Sequence, residues 1–471
     1  MVMRKAKIVG TLGPACSSRK MIGSLISAGL DVARLNFSHG EYDFHEKVFS
    51  AVRKEAARQG KPVAIMQDLQ GIKIRVGDIE GGSMNLRQGD EVFLHPGREL
   101  GKEKHIYISY PSLLKDVRPG EDIVFDDGII KVTVTGKTKN SLKAEVIEGG
   151  VLRSRKGVNL PSTKTTIEAF TDKDKKDFKF GVKLGFDYVA ISFVRSAEDI
   201  AKIISWAKKN GLSLPPLIAK IEKPEALKNI DGIMDLVEGI MIARGDLGVE
   251  MSAQQVPAIQ KMLIDLANRR GKLVITATQM LESMTHHTRP TRAEASDVAN
   301  AILDGSDAVM LSAETASGKY PVESVKMMDL IIRNIETNFP DRIRSLYHSD
   351  NSFTEAVTLG AVMAAQSINA EMIVAFTHAG VAAGLLAKLR PRVPIIAFTP
   401  NPRTLSRMSL YWGTASKLIT RKSALPDAEL VADIEKLLIR EGLLRKGDSI
   451  VFVASSPFLG KHNVIRLHKV E

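Results

Sequence analysis

The chain has a single cysteine, Cys16, in 471 residues, so it can form no internal disulfide and no cysteine-built zinc site. No run of about 18 apolar residues occurs, so nothing in the sequence is expected to span a membrane as a helix. Its opening, Met1-Val2-Met3-Arg4-Lys5-Ala6-Lys7, carries charge without a long apolar stretch behind it, which is not a signal-peptide pattern. These features place the expected working compartment in the cytoplasm. Aromatic residues are few, at 5% with two tryptophans, and there is neither a long basic tail nor an aromatic pattern that reads RNA. Low-complexity tracts are absent as well.

What is present is a basic excess: 66 Lys and Arg against 54 Asp and Glu, a net charge of +12. That balance favours anionic partners, either nucleic acid or small phosphorylated molecules. The basic residues are dispersed. Between Lys173 and Lys179 they alternate with Asp174 and Asp177, the pattern of a solvated helix face. At about 150 residues per domain, the length suggests about three domains.

Short β-type runs alternate with amphipathic helical stretches. Candidate strands are Lys7–Gly10, Val32–Asn36, Val63–Asp68, Tyr188–Val194, Leu217–Glu222, Gly239–Ala243, Leu273–Ala277 and Ala308–Ser312. Helical patterns include Ser196–Lys209, with Ile200, Ile203, Ile204 and Ala207 on one face, then Gln254–Arg270 and Val322–Thr337. Eight strands separated by helices fit an α/β fold, a (β/α)8 TIM barrel; a doubly wound open sheet is the alternative. From Leu69 to Thr166 the helical period gives way to alternating segments, with a hairpin expected from Ile123–Phe125 through Asp127-Gly128 to Ile129–Val134. The expected organisation is a barrel from 1–68 and 167–345, an inserted small all-β domain at 69–166, and a C-terminal α/β domain at 346–471. In the last of these, Ile373–Phe376, Ile395–Thr399 and Ile450–Ala454 read as strands.

In such barrels the reactive groups gather at the C-terminal ends of the strands. Those ends carry Arg34, Asn36 and Ser38; Asp68; Lys220 and Glu222; Arg244, Gly245 and Asp246; Thr278 and Gln279; and Ser312, Glu314 and Thr315. Any one polar strand end, Thr278 or Ser312 taken alone included, is also explained as a cap of the next helix. Lys220 and Glu222, two residues apart, project from one face of a strand, and Asp246 arrives from its neighbour. Two carboxylates there suit Mg²⁺ or Mn²⁺, and an adjacent ammonium can neutralise a phosphoryl group in transfer. Backbone N–H groups of Gly245 to Gly248 could hold a substrate carboxylate at a helix start, or form an ordinary turn. His286-His287 reads as a loop, and Cys16, Trp206 and Trp412 read as packing residues.

Several of these segments together resemble the pyruvate kinase family: Val32-Ala33-Arg34-Leu35-Asn36-Phe37-Ser38-His39-Gly40, Ala219-Lys220-Ile221-Glu222-Lys223-Pro224, Ala243-Arg244-Gly245-Asp246-Leu247-Gly248, Ala277-Thr278-Gln279-Met280 and Leu311-Ser312-Ala313-Glu314-Thr315. Phe125-Asp126-Asp127-Gly128 and Ser154-Arg155-Lys156-Gly157 in the insert are similar to that family's lid. The resemblance implies phosphoryl transfer from phosphoenolpyruvate to ADP, giving ATP and pyruvate. It further implies that Arg34 holds the donor phosphate and that Glu222 and Asp246 bind Mg²⁺ or Mn²⁺. Lys220 stabilises the transferring group, Gly245, Asp246 and Thr278 position the carboxylate, and Thr278 and Ser312 relay a proton through water. Asn36, His39 and Arg75 contact the nucleotide, and the assembly is a homotetramer. No nucleic-acid or membrane partner is implied.

Three departures from the family pattern matter. Asp68-Leu69-Gln70-Gly71-Ile72-Lys73-Ile74-Arg75 replaces Asp-Thr-Lys-Gly-Pro-Glu-Ile-Arg, Ser196 replaces a nucleotide-touching lysine, and Thr377-His378-Ala379-Gly380-Val381 lacks the serines that grip fructose 1,6-bisphosphate. Activation by that sugar is therefore not expected. In potassium-dependent relatives a monovalent cation sits at the positions of Asn36, Ser38, Asp68 and Leu69. Lys73, standing where those relatives have Glu, is expected to supply that charge internally, so that K⁺ is not required. Two other readings are an Mg²⁺-dependent lyase or aldolase acting through a pyruvate enolate, which would not need Lys220 or the insert, and a basic nucleic-acid-binding protein without turnover.

Overall fold

Residues 3–72, 74–126, 128–161, 163, 165–343, 345–347, 352–419, 428–454 and 463–471 are described by a computed structural model. Strands β1 (Lys7–Thr11), β2 (Val32–Asn36), β3 (Ala64–Asp68), β4 (Tyr188–Ile191), β5 (Leu217–Ile221), β6 (Gly239–Ala243), β7 (Leu273–Ala277) and β8 (Ala308–Leu311) close into one parallel barrel in chain order. Their residues are buried almost without exception, because helices cover the outside and side chains fill the inside. The helix Ala197–Lys209 buries Ile200, Ile203 and Ala207, as the sequence spacing requires, while Ile204 is only partly covered. Helices Asp172–Leu184 and Arg292–Asp304 begin with reciprocal caps, Thr171 with Asp174 and Thr291 with Glu294, and both stop at glycines in the left-handed region.

Three strands, β4, β5 and by one residue β8, end earlier than the sequence reading placed them. β4 stops at Ile191, short of Val194, because Phe193 turns the chain with φ 54° and offers its N–H to Glu222. β5 stops at Ile221, leaving Glu222 free of the ladder. Boundaries thus shift where backbone donors are diverted to a carboxylate.

The insert is a mainly antiparallel structure, with one parallel pair between Glu91–Pro96 and His105–Ile108. It contains a six-stranded sheet and a separate pair formed by Ser83–Leu86 and Gly150–Arg153. The expected hairpin is present between Asp122–Phe125 and Ile130–Lys137, with Phe125 opposite Ile130. Ile129 lies in the turn and is exposed rather than in the strand, and Asp127 lies outside the described residues. The insert is tied to the barrel by Arg195, which donates to the carbonyls of Thr165 and Ile167 at 2.9 Å each, and by Asn159, which donates to Glu250 at 2.8 Å.

The C-terminal domain is a five-stranded sheet in the order Thr414–Leu418, Ile395–Thr399, Met372–Phe376, Ser449–Ala454 and Val464–Lys469, the last antiparallel. Among its contacts with the base of the barrel is one buried carboxylate. Asp307, just before β8, pairs with Lys388 at 2.5 Å and Arg390 at 2.8 Å, and all three are buried. Asn268 accepts from both cations, and the Arg390 guanidinium lies 4.8 Å from the Trp412 ring centre. Burial pulls the Lys388 ammonium down to about 8 against the opposing pull of Asp307. Burying these charges is itself costly, so the cluster is sensitive chiefly to loss of one member. Asp307→Ala leaves two buried cations unpaired and is expected to lower unfolding free energy by about 3–5 kcal/mol. Equilibrium denaturant titration measures this, and a change below about 1 kcal/mol would show that the cations find other partners.

Candidate active site

The mouth of the barrel is organised by one buried carboxylate. Asp68, at the end of β3 and 1% exposed, takes the Nε of Arg34 from β2 at 2.6 Å and faces the Nζ of Lys220 from β5 at 3.3 Å. Arg34 also donates Nη1 to the Thr11 hydroxyl of β1 at 2.8 Å, which fixes the plane of its guanidinium. Lys220 continues the chain to Glu222 Oε1 at 2.8 Å, and Glu222 Oε2 accepts the Phe193 N–H at 2.7 Å. Ser192 closes the circuit. Its hydroxyl accepts from Lys220 at 2.8 Å and donates to the Leu69 carbonyl at 2.7 Å.

The electrostatics follow from this order. Burial pushes the Asp68 carboxyl up, but Lys220 and Arg34 outweigh it, so it stays below the usual carboxylate range. Burial opposes the charge on Lys220, yet Asp68 and Glu222 overcome it and hold the ammonium more firmly than an exposed lysine. Glu222 ends above the ordinary range, because burial and the nearby Asp246 charge exceed the pull of Lys220. A buried carboxylate raised by a second carboxylate is where a divalent cation fits, since the cation would relieve both the desolvation and the repulsion. Among the described residues no group of three or more His, Cys, Asp or Glu converges. Two protein carboxylates, with other positions open to water and substrate oxygens, are the Mg²⁺ or Mn²⁺ pattern.

The opposite rim is held under backbone strain. Asp246 lies in the first turn of a helix, Arg244–Glu250, directly after β6 rather than on a strand. The Gly245 N–H donates to the Thr278 hydroxyl at 2.8 Å. Thr278 and Gln279, after β7, both have positive φ, 67° and 53°, an uncommon state for a β-branched residue. Arg244 imposes it by donating to the carbonyls of Ala277 at 3.2 Å and Thr278 at 2.7 Å while anchored to Asp297 at 2.7 Å. The Ser312 hydroxyl, after β8, is buried with no protein partner, and its N–H donates to Glu314 at 2.6 Å. A buried hydroxyl left over by the protein is a group available to water or substrate.

Of the other expected residues, Asn36 ends β2 directly beside Asp68, while the rest lie outside this ring. Asn36 accepts the Ser38 N–H at 3.0 Å within its own loop, and His39 is exposed, its carbonyl bonded to His45 at 3.0 Å. Arg75 belongs to the insert, where it donates to the Arg155 carbonyl at 2.5 Å. Lys73 lies outside the described residues. His286 and His287 are exposed loop residues, and Trp206 packs edge-on to Phe170 and Phe178. Cys16 is buried, with its thiol pushed up to about 11 by burial. Sequence reading missed Ser192, Thr11 and Phe193. It also missed a cleft of about 210 Å³ between barrel and insert, lined in part by Asn159, Arg195, Lys223, Asp246 and Glu250. Ser192 stands at a strand end like the others, but the run Tyr188–Val194 read as unbroken strand and hid it.

A (β/α)8 barrel that gathers Arg34, Lys220 and the carboxylates of Asp68, Glu222 and Asp246 beside an inserted β domain has the charge set of a phosphotransferase. Residues 3–325 match the family description "Pyruvate kinase, barrel domain" and residues 355–468 match "Pyruvate kinase, alpha/beta domain", so the chain belongs to the pyruvate kinase family. It is 41% identical to pyruvate kinase of Geobacillus stearothermophilus across 99% of this chain and 80% of that protein. It is also 41% identical to that of Corynebacterium efficiens, across 99% and 98%. A crystal structure of a pyruvate kinase from Cryptosporidium parvum superposes with a TM-score of 0.92 at 35% identity, covering 99% of this chain and 96% of that one.

Ser192→Ala removes the hydroxyl that steers the Lys220 ammonium without touching its charge. Turnover is expected to fall by about ten-fold, the worth of one hydrogen bond to a charged group, with KM for the phosphoryl donor little changed. Steady-state kinetics with unchanged kcat would show that Asp68 and Glu222 suffice to place Lys220.

Proposed function

We propose that this chain catalyses phosphoryl transfer from phosphoenolpyruvate to ADP, giving ATP and pyruvate. The observation that carries the reading is the continuous buried charge path Arg34–Asp68–Lys220–Glu222 beside Asp246, on a chain of this family. A divalent cation, Mg²⁺ or Mn²⁺, held by Glu222 and Asp246 would supply positive charge to the phosphate and enolate oxygens. Arg34, braced by Asp68 and Thr11, binds the donor phosphate in a fixed orientation. Lys220 presents an ammonium kept charged by its neighbours, and stabilises the phosphoryl group as it passes between oxygens. Gly245, Asp246 and Thr278 orient the substrate carboxylate. The enolate carbon then takes a proton by way of water bound at the Thr278 and Ser312 hydroxyls.

Asn36, His39 and Arg75 contact the nucleotide. Arg75 reaches it when the insert, hinged at the Arg195 and Asn159 contacts, closes over the mouth and excludes water. The domain limits 1–68 with 167–345, 69–166 and 346–471, a cytoplasmic homotetramer, and the absence of nucleic-acid or membrane partners belong to the same proposal. No helix among the described residues is long and apolar enough to cross a membrane.

A lactate-dehydrogenase-coupled assay with phosphoenolpyruvate, ADP and Mg²⁺ tests the activity directly. No pyruvate formation would overturn it. In that assay Lys220→Met is expected to lower kcat by at least about 10³-fold while donor affinity stays nearly intact. Near-normal turnover would remove Lys220 from the mechanism.

The same proposal includes independence from K⁺. Asn36, Ser38 and Asp68 persist, but in sequence Lys73 stands where K⁺-dependent relatives carry Glu, and a positive charge there would take the place of the cation. Rates in tetramethylammonium buffer are expected to match those with added K⁺, and Lys73→Glu is expected to create a K⁺ requirement. Stimulation of the unmodified protein by an order of magnitude would refute it.

A further inference from the structure

The left-handed turn after β7 is clamped at both ends. Arg244 holds its beginning through the carbonyls of Ala277 and Thr278. Its end is held by Glu314, which lies in the short helix Ala313–Ala316 after β8 and is fully buried. Glu314 Oε1 accepts the Leu281 N–H at 3.1 Å, and Oε2 accepts the Ser312 N–H at 2.6 Å. One side chain thus spans the ends of β7 and β8, the two places that supply the Thr278 and Ser312 hydroxyls.

The donors fix the chemistry of this span. Backbone N–H groups can only donate, so both oxygens must accept, and an ionised carboxylate does this at each end. Burial lifts the Glu314 carboxyl above its usual range, while its own N–H and those of Leu281 and Ser312 pull the other way. A glutamine would turn an amide NH₂ toward one of the two donors, and an aspartate would be one methylene short. The loops have other ties. The Thr315 hydroxyl donates to the Thr11 carbonyl at 2.8 Å, the Lys319 N–H donates to the Thr285 carbonyl at 2.9 Å, and Met280, Leu281 and Met284 are buried. Loss of the Glu314 span would therefore leave the loops packed and free the turn between them.

The Ser312 hydroxyl has no protein partner, so its aim is set by its backbone, and Glu314 holds that backbone at the N–H. We propose that Glu314 is the positioning residue for protonation of the enolate, fixing the Thr278 and Ser312 hydroxyls so that the water they bind faces the enolate carbon. The inference rests on the phosphoryl-transfer reading above. In this step a C–H bond forms at the enolate carbon as an O–H bond of the water breaks. The enolate oxygen becomes the pyruvate carbonyl, and solvent returns a proton to the hydroxide left behind. Phosphoryl transfer is served by Arg34 and Lys220, which are braced by Asp68, Thr11, Glu222 and Ser192, so Glu314 bears on the second step far more than on the first.

Two rates separate the steps. ATP formation in a hexokinase-coupled assay reports transfer. Deuterium uptake into the methyl group of pyruvate, in D₂O with Mg²⁺ and inorganic phosphate, is followed by NMR and reports proton exchange at carbon. Glu314→Gln is expected to slow uptake by at least about ten-fold, the worth of a hydrogen bond to a charged group, and ATP formation by no more than about three-fold. Ser312→Ala should slow uptake too, and the two changes together should cost clearly less than the product of their separate effects, because one acts through the other. Should Glu314→Gln melt below the assay temperature, Glu314→Asp, which keeps the charge on a shorter arm, is read in the same way. Equal losses in both rates, a double variant that loses the full product, or failure of both Glu314 variants to fold would reduce Glu314 to a helix cap and overturn the inference. Absence of both rates in the unmodified protein would refute the phosphoryl-transfer reading itself, on which the inference depends.

Discussion

Asp68 is the residue on which the mouth of this barrel depends, because one buried carboxylate is shared by two cations from different strands. An isolated carboxylate at that depth would favour its neutral form, and Arg34 or Lys220 alone there would be equally expensive. Together they are mutually compensating. The consequence is geometric as well as electrostatic. Arg34 is stretched between Asp68 and Thr11, Lys220 is strung between Asp68, Glu222 and Ser192, and five adjacent strands carry the whole assembly. A group held this way needs little reorganisation when charge moves past it.

The far side of the mouth works by a different principle. Here the backbone rather than a charge is placed under load, with Thr278 and Gln279 in the left-handed region and Arg244 taking the carbonyls on either side of the bend. Such a conformation persists only where the surroundings over-determine it. One rim is therefore set by ion pairs and the other by a strained turn, and the hydroxyls of Thr278 and Ser312 are what that turn and the β8 end turn toward the interior.

Much of this was legible in the sequence, for identifiable reasons. Parallel strands buried on both faces leave short apolar runs, and amphipathic helices between them leave a 3.6-residue period, so the barrel and the position of its interruption could be read. Reactive strand ends followed from the barrel rule. What was hidden was hidden by tertiary effects: Phe193 breaks β4 inside an apolar run because Glu222 captures its N–H, and that break is what makes Ser192 a site residue. Thr414–Leu418, with the sequence Thr-Ala-Ser-Lys-Leu, has little β signature and is a strand because its neighbour Ile395–Thr399 supplies the ladder. Val464–Lys469 is an edge strand with alternating exposure and no strong apolar run. The helix start read at Gly245 to Gly248 is present, as the seven-residue helix Arg244–Glu250 that carries Asp246 in its first turn.

The Asp307 cluster at the base of the barrel bears on folding cooperativity. Its two cations come from the C-terminal domain and its carboxylate from the segment leading into β8, so neither side can unfold without leaving buried charge in the other. Partial melting that frees only the C-terminal sheet would strip Asp307 of both partners, in a place where Val274 N–H alone remains to solvate it. Intermediates with one domain folded and the other open are thereby disfavoured. The barrel and the C-terminal domain are thus coupled through a charge cluster neither could form alone, whereas the insert is joined to the barrel by neutral and charge-assisted hydrogen bonds at Arg195 and Asn159.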